Sequence, residues 1–174
     1  VISLTDLDIY KVKERPAVCA PFRGYQVCGI GPPSSGGLTV GQILGLLDRF
    51  PVSLKDNPQT LRLMGDASRL AFADRGRYMA DSDFVPMPTK GLISNDYLSD
   101  RAKLLTGPKA LTKALSGNPE YPHASLWADD VKLELPSTSY ISIVDNYGNA
   151  LSMTTTVENG VGSRLMTNGF LLNN

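Results

Sequence analysis

The sequence predicts an α+β chain: a mostly helical block, an exposed linker, then the opening of a sheet. Three observations carry this. Apolar residues recur at helical spacing through "GGLTVGQILGLLDRF" and "QTLRLMGDASRLAFADRGRYMA". Periodicity fades across residues 107–135, where Gly, Pro, Asn and charged residues dominate. From Pro136 to Asn159, "PSTSYISIVDNYGNALSMTTTVEN", apolar and hydroxyl residues alternate on both sides of an Asn-Tyr-Gly-Asn turn, the period-two pattern of a β-hairpin.

From the N-terminus, Thr5 is the expected cap of a short helix with Asp6 and Asp8 in its first turn, ended by Arg15-Pro16. "AVCAPFRGYQVCGIG" reads as two strands around a turn. Pro32 and Pro33 end the second strand and "SSGG" forms a loop. Leu38 to Phe50 is helical by the spacing of Val40, Ile43, Leu44 and Leu47, until Pro51 stops it. Residues 59–80 form a long helix with Leu61, Met64, Leu70, Ala71 and Ala73 on or near one face and arginines on the other. "DSDFVPMPTKGLIS" reads as loop, "NDYLSDRAKLL" as a helix capped by Asn95, and "GFLLNN" as the end of a strand. With that ending and no initiator Met, the sequence reads as an internal piece of a longer protein.

Composition narrows the function. A length of 174 residues suits one domain and at most an incomplete second. Seventeen basic and seventeen acidic side chains leave no net charge, so the balance favours neither nucleic acid nor an anionic membrane surface. No apolar run reaches transmembrane length, and the opening residues do not read as a signal peptide. His123, the only histidine, sits in a Pro- and aromatic-containing loop without Asp, Glu or Cys at ligand spacing. No metal site is expected there, and no His–Ser or His–Cys couple can be built. Cys19 and Cys28 read first as two buried thiols and second as a cross-strand disulfide. "PPSSGG" lacks the spacing and the lysine of a phosphate loop and reads as a tight turn packing two elements. Asp74, Asp81 and Asp83 do not follow a calcium-loop pattern and read as a solvated, salt-bridged helix end.

The hairpin carries Ser137, Thr138, Ser139, Ser142, Ser152, Thr154, Thr155 and Thr156, more hydroxyls than burial requires. Without a His, Lys or Cys partner, a hydroxyl nucleophile has one other route to activation. If the bond before it is cut, its own α-amino group, with an ordinary pKa near ~7.7, serves as base. A strand opening directly after an exposed linker is where such a cut can be made. The plainer account, that strand hydroxyls satisfy β-propensity and cross-strand bonding, stands beside it and is preferred on residues alone.

Five stretches in one order, "TDLDIYKVKERPA", "FRGYQVCGIGPPSSGGLTVGQILGLLDRF", "AFADRGRYMADSDFVPMPTKGLIS", "TSYISIVDNYGNALSMTTTVENGVGSRL" and "GFLLNN", resemble the γ-glutamyltranspeptidase family of the N-terminal-nucleophile hydrolase superfamily. The resemblance implies part of a four-layer αββα sandwich. It also implies one precursor that cuts itself between Ser137 and Thr138, joining the C-terminal part of a large subunit (1–137) to the first strands of a small one (138–174). Thr138 would be the nucleophile and Thr156 the second threonine that hydrogen-bonds it. No metal or organic cofactor is implied. The partners are a γ-glutamyl substrate such as glutathione and an acceptor amino acid, short peptide or water, with a two-subunit heterodimer after processing. A periplasmic or secreted location is implied by the resemblance and by nothing in the residues.

Two departures stand out. The family's usual Asn two residues after the second Thr is Glu158 here, a carboxylate that still accepts bonds from a substrate ammonium. It would also repel a nearby substrate carboxylate, which opens an alternative, a glutaryl-type, cephalosporin-acylase-like amidohydrolase. Ser139-Tyr140 replaces Thr-His and is expected to be neutral. The family's α-carboxylate-binding Arg and Gly-Gly oxyanion hole have no counterpart in these residues, so the piece alone is expected to be inactive. A non-catalytic binding or structural member of the family is the further alternative.

Overall fold

A computed structural model describes residues 3–53, 57–122, 127–129 and 138–173. The chain divides into two compact units, residues 1–130 and 131–174.

In the first unit the opening helix α1 (Leu4–Ile9) is capped by Ser3, not Thr5. Ser3 and Asp6 close a reciprocal capping box, Asp6 Oδ2 accepting from Ser3 N at 2.8 Å, which starts the helix earlier and leaves Thr5 inside it. The helix ends at Ile9 rather than at Arg15-Pro16, because Tyr10 is already extended. Arg15 instead reaches Asp83 through two nitrogens, at 3.0 and 2.8 Å, and Lys13 joins them. Together they hold the Asp83 carboxyl below its ordinary range, Arg15 contributing most.

Strands β1 (Val18–Phe22) and β2 (Tyr25–Gly29) form the expected antiparallel ribbon. Its two-residue loop, Arg23-Gly24, has positive φ at both positions, the geometry that matches strand twist. Cys19 and Cys28 are direct cross-strand partners and are joined as a disulfide, correcting the preferred reading of two buried thiols; both are exposed. The ribbon runs into the Gly-rich turn, where a Cβ on Gly37 would come within 2.8 Å of the Ile30 carbonyl oxygen. The turn therefore packs two elements at backbone distance, as the sequence suggests.

Helix α2 (Gly36–Leu47) follows, with Leu38, Leu46 and Leu47 buried and Val40 exposed. It stops short of Phe50 because Arg49 and Phe50 turn into tighter bonds to Leu46 and Leu47. Helix α3 (Pro58–Tyr78) opens on Asn57 as cap and Pro58 at its first position. Its buried face is Leu63, Asp66, Ala67, Leu70, Ala71, Asp74 and Tyr78, so Leu61 and Met64 point outward, against expectation. The stretch read as loop contains a single turn, α4 (Thr89–Leu92). Helix α5 (Asn95–Ala102) is capped by Ser94, whose hydroxyl accepts from Tyr97 N, and passes into a 3-10 turn at Lys103–Leu105. Leu38, Leu46, Leu70, Leu92 and Leu105 form the centre of the core, between α2, α3 and α5.

The described part of the linker, residues 107–122 and 127–129, has no helix or strand, yet it is tied to α3. Asp66 accepts from Leu111 N at 3.1 Å and is flanked by Arg62 and Arg69. Asp74 accepts from Gly117 N at 2.8 Å, Gln42 at 2.8 Å, Tyr97 hydroxyl at 2.7 Å and Arg101 at 3.2 Å. At 1 % exposure Asp74 belongs to the core and not to a solvated helix end. Burial, then Asp74, pushes the Tyr97 hydroxyl far above the ordinary tyrosine range, keeping it a proton donor.

Among its described residues, the second unit has two hairpins. Strands β3 (Thr138–Val144) and β4 (Ala150–Thr156) pair antiparallel, and β5 (Met166–Thr167) with β6 (Phe170–Leu171) turn at Asn168-Gly169, both at positive φ. Among the described residues, no helix is long and apolar enough to cross a membrane.

Candidate active site

The candidate site is built on the β3–β4 hairpin, and its register comes from the turn. Asp145 accepts from Tyr147 N at 2.8 Å, Asn149 N at 2.9 Å and Asn149 Nδ2 at 2.7 Å, and its own amide bonds back to Asn149 O. Those donors, the Asn149 side chain first, hold the Asp145 carboxyl below its ordinary value. Sequence reasoning missed Asp145 as an organiser; an Asp separated by two residues from a Gly-Asn pair was the available signal.

With the turn fixed, Thr138 stands directly opposite Thr156, at the end of the hairpin away from the turn. Directly paired residues share a face, and faces alternate along a strand. One face therefore carries Thr138, Tyr140, Ser142, Ser152, Thr154 and Thr156, with Val144 and Ala150 at the turn, and the other carries Ile141, Ile143, Leu151 and Met153 with Ser139 and Thr155. The excess of hydroxyls is thus a polar face backing an apolar one. Within it, Tyr140 and Ser152 hydroxyls lie 2.7 Å apart, a diagonal pair leaning toward the turn and away from Thr138.

Beyond β4 the chain reverses. Glu158 N donates to Thr156 Oγ1 at 2.9 Å, closing a hydroxyl-capped turn, and Glu158 itself has φ +70°. Asn159 continues the turn, its side chain accepting from Gly160 N at 2.8 Å and its carbonyl from Gly162 N. Thr138, Thr156 and Glu158 are thus brought to one end of one hairpin: two by strand pairing and the third by a bond to the second. Ser137 and His123 lie outside the described residues. Among the described residues, no three His, Cys, Asp or Glu side chains gather as a metal site.

The sequence profile described as Gamma-glutamyltranspeptidase matches residues 1–174. The glutathione hydrolase proenzyme of Bacillus subtilis (strain 168) is 33% identical over 180 residues, covering 97% of this chain and 30% of that protein. The acylase ACY 1 proenzyme of Pseudomonas sp. (strain V22) is 30% identical, over 97% of this chain and 28% of its own length. Among solved structures, the cephalosporin acylase from Bacillus halodurans aligns with a TM-score of 0.77 at 24% identity, over 99% of this chain and 28% of that one, a likeness of fold. The chain thus spans under a third of the relatives it matches. By the profile match along its whole length, the chain belongs to the γ-glutamyltranspeptidase family.

Proposed function

We infer that the protein carrying this chain is a γ-glutamyl acyl-transfer enzyme, made as one precursor that cuts itself between Ser137 and Thr138. The observation that carries the reading is Thr138 paired with Thr156 at the open end of a hydroxyl-faced hairpin, in a chain of this family. Residues 1–137 then close the large subunit and 138–174 open the small one.

In the cut, the Thr138 hydroxyl attacks the Ser137 carbonyl carbon, the acyl group moves from nitrogen to oxygen, and water hydrolyses the ester. This frees the Thr138 amine, which takes the hydroxyl proton as the oxygen attacks a γ-glutamyl amide. The proton passes to the leaving amine, a γ-glutamyl ester stays on Thr138, and water or an acceptor amine releases it. Thr156 orients the nucleophile, and Glu158 receives the substrate ammonium. The similarity to a glutathione hydrolase proenzyme supports both the processing and glutathione as substrate.

A second reading, a glutaryl-type amidohydrolase, is supported by Glu158 in place of Asn and by the similarity to an acylase proenzyme. Expression of the full-length protein with intact-mass and N-terminal analysis tests the main reading, followed by turnover of matched γ-glutamyl and glutaryl anilides. Two chains with Thr138 at a new N-terminus and faster γ-glutamyl turnover are expected. Preferred glutaryl turnover selects the second reading. One intact, inactive chain after long incubation sinks both and leaves a non-catalytic member of the family.

A further inference from the structure

We propose that Asn159 is a self-modification site: the Gly160 amide nitrogen attacks its carboxamide, and the succinimide that forms opens to aspartate and isoaspartate. The sequence holds two Asn-Gly dipeptides, Asn159-Gly160 and Asn168-Gly169, and all four residues are exposed. Glycine, with no Cβ, offers the least shielded amide to such an attack, so the dipeptides alone would make the two sites equal. Local geometry separates them.

At Asn159 the carboxamide already lies beside the next peptide. Gly160 N is 2.8 Å from Asn159 Oδ1, an oxygen one bond away from the carbon that is attacked. Turning about the Cβ–Cγ bond then presents that carbon to the nitrogen. The Asn159 carbonyl accepts from Gly162 N at 2.8 Å, which holds the turn in this form. At Asn168 the dipeptide is instead the loop of the β5–β6 hairpin, with φ +46° and +87°, closed by the Thr167–Phe170 pair. Among the described residues, the Asn168 side chain makes no bond to Gly169 N.

The step needs only water. Hydroxide takes the Gly160 amide proton, the nitrogen bonds to Asn159 Cγ, and the carboxamide nitrogen leaves as ammonia with a proton from water, restoring the hydroxide. Water then opens the ring at either carbonyl, giving aspartate or isoaspartate with no change of oxidation state. Both products add a carboxylate. Isoaspartate also routes the backbone through Cβ, one carbon longer, in the turn where Glu158 N caps Thr156. On the reading that Glu158 receives the substrate ammonium, modification changes the charge and the backbone beside that contact.

The test follows the full-length protein in mildly alkaline buffer by peptide mapping that resolves aspartate from isoaspartate. In folded protein Asn159 should convert about fivefold faster than Asn168, and both products should appear. In urea the two rates should converge, because the shared dipeptide then governs both. Gly160→Ala should slow conversion at Asn159 about tenfold by shielding the nitrogen, with no change at Asn168. A Cβ on Gly160 would meet nothing within 4 Å, so the turn accepts the methyl. Equal folded rates, a ratio that survives urea, aspartate without isoaspartate, or full-rate conversion in Gly160→Ala would overturn the proposal. Each outcome reads the modification alone, so its failure is distinct from a failure of acyl transfer.

Discussion

At Glu158 the chain holds a β-carbon-bearing residue at φ +70°, a conformation that asparagine tolerates far better than glutamate. Its amide caps Thr156, so the strain sits next to the proposed nucleophile pair. Glu158→Asn should therefore leave the fold as stable or more so, since the backbone bond is retained and the left-handed turn relaxed. On γ-glutamyl substrates the same change should weaken turnover about five- to tenfold, a charge-assisted bond to the ammonium becoming a neutral one. Glutaryl analogues, which lack the ammonium, should be spared. Equal losses on both substrates would remove Glu158 from the binding site. Asp74 poses a different problem at the same scale. Its buried carboxylate is partnered by Arg101, Tyr97, Gln42 and Gly117 N, so Asp74→Ala leaves a guanidinium that is itself only 7 % exposed without its counter-charge, held by the Leu70 and Leu115 carbonyls. Denaturant unfolding should show a loss of about 3–5 kcal/mol. Tyr97→Phe removes one bond to the carboxylate and should lose about 1.5–3 kcal/mol. The double variant should lose less than the sum, because both act on one network; strict additivity would mean the residues do not share it.

Elements were legible in kind and misplaced at their ends. Both long helices follow from 3.6-residue spacing, and the hairpins from alternation around Gly-containing turns. The caps moved by one or two residues, to Ser3 and Ser94, because neighbouring Ser, Thr and Asn compete for the same amide donors. The buried face of α3 was misread for a sharper reason. Asp66 and Asp74 count as outward-facing in any hydropathy pattern, yet linker amides at Leu111 and Gly117 satisfy them from some forty residues away. The disulfide likewise became decidable only with the register that sets Cys19 opposite Cys28. The β3–β4 hairpin makes a prediction of its own. Its turn hangs on Asp145, whose carboxyl titrates below the ordinary 3.8. A depressed acid stabilises the folded state fully above the unfolded value and loses that contribution as pH falls through the folded one. Amide exchange at Tyr147 and Asn149 should thus stay protected down to about pH 4 and quicken only below it. A carboxyl midpoint at or above 3.8, read by NMR titration, would separate Asp145 from the turn's stability.

For the whole molecule the decisive geometry is which hydroxyl faces which. The turn is symmetric about Tyr147, so the pairing of Thr138 with Thr156 follows once the turn is placed, and to that extent the register was readable from sequence. The same alternation separates Thr138 from Ser139. Ser139 lies on the opposite face of β3, paired with Thr155 among the apolar residues, and so cannot take Thr156 as its partner without a register slip of one residue. The nucleophile of maturation in the full-length protein should therefore be Thr138 and not Ser139. Thr138→Ala should abolish both chain cleavage and turnover, with Ser139 unable to substitute. Thr138→Ser should retain part of each, because the hydroxyl carries the chemistry and the methyl only biases its rotamer. Thr156→Ala leaves the nucleophile but removes its cross-strand partner, so it should slow both steps without eliminating them. Intact-mass analysis over time, alongside anilide turnover, reads all three variants. A Thr138→Ala protein that still separates into two chains, cut one residue earlier or later, would move the nucleophile to Ser137 or Ser139 and break the link between hairpin register and catalysis.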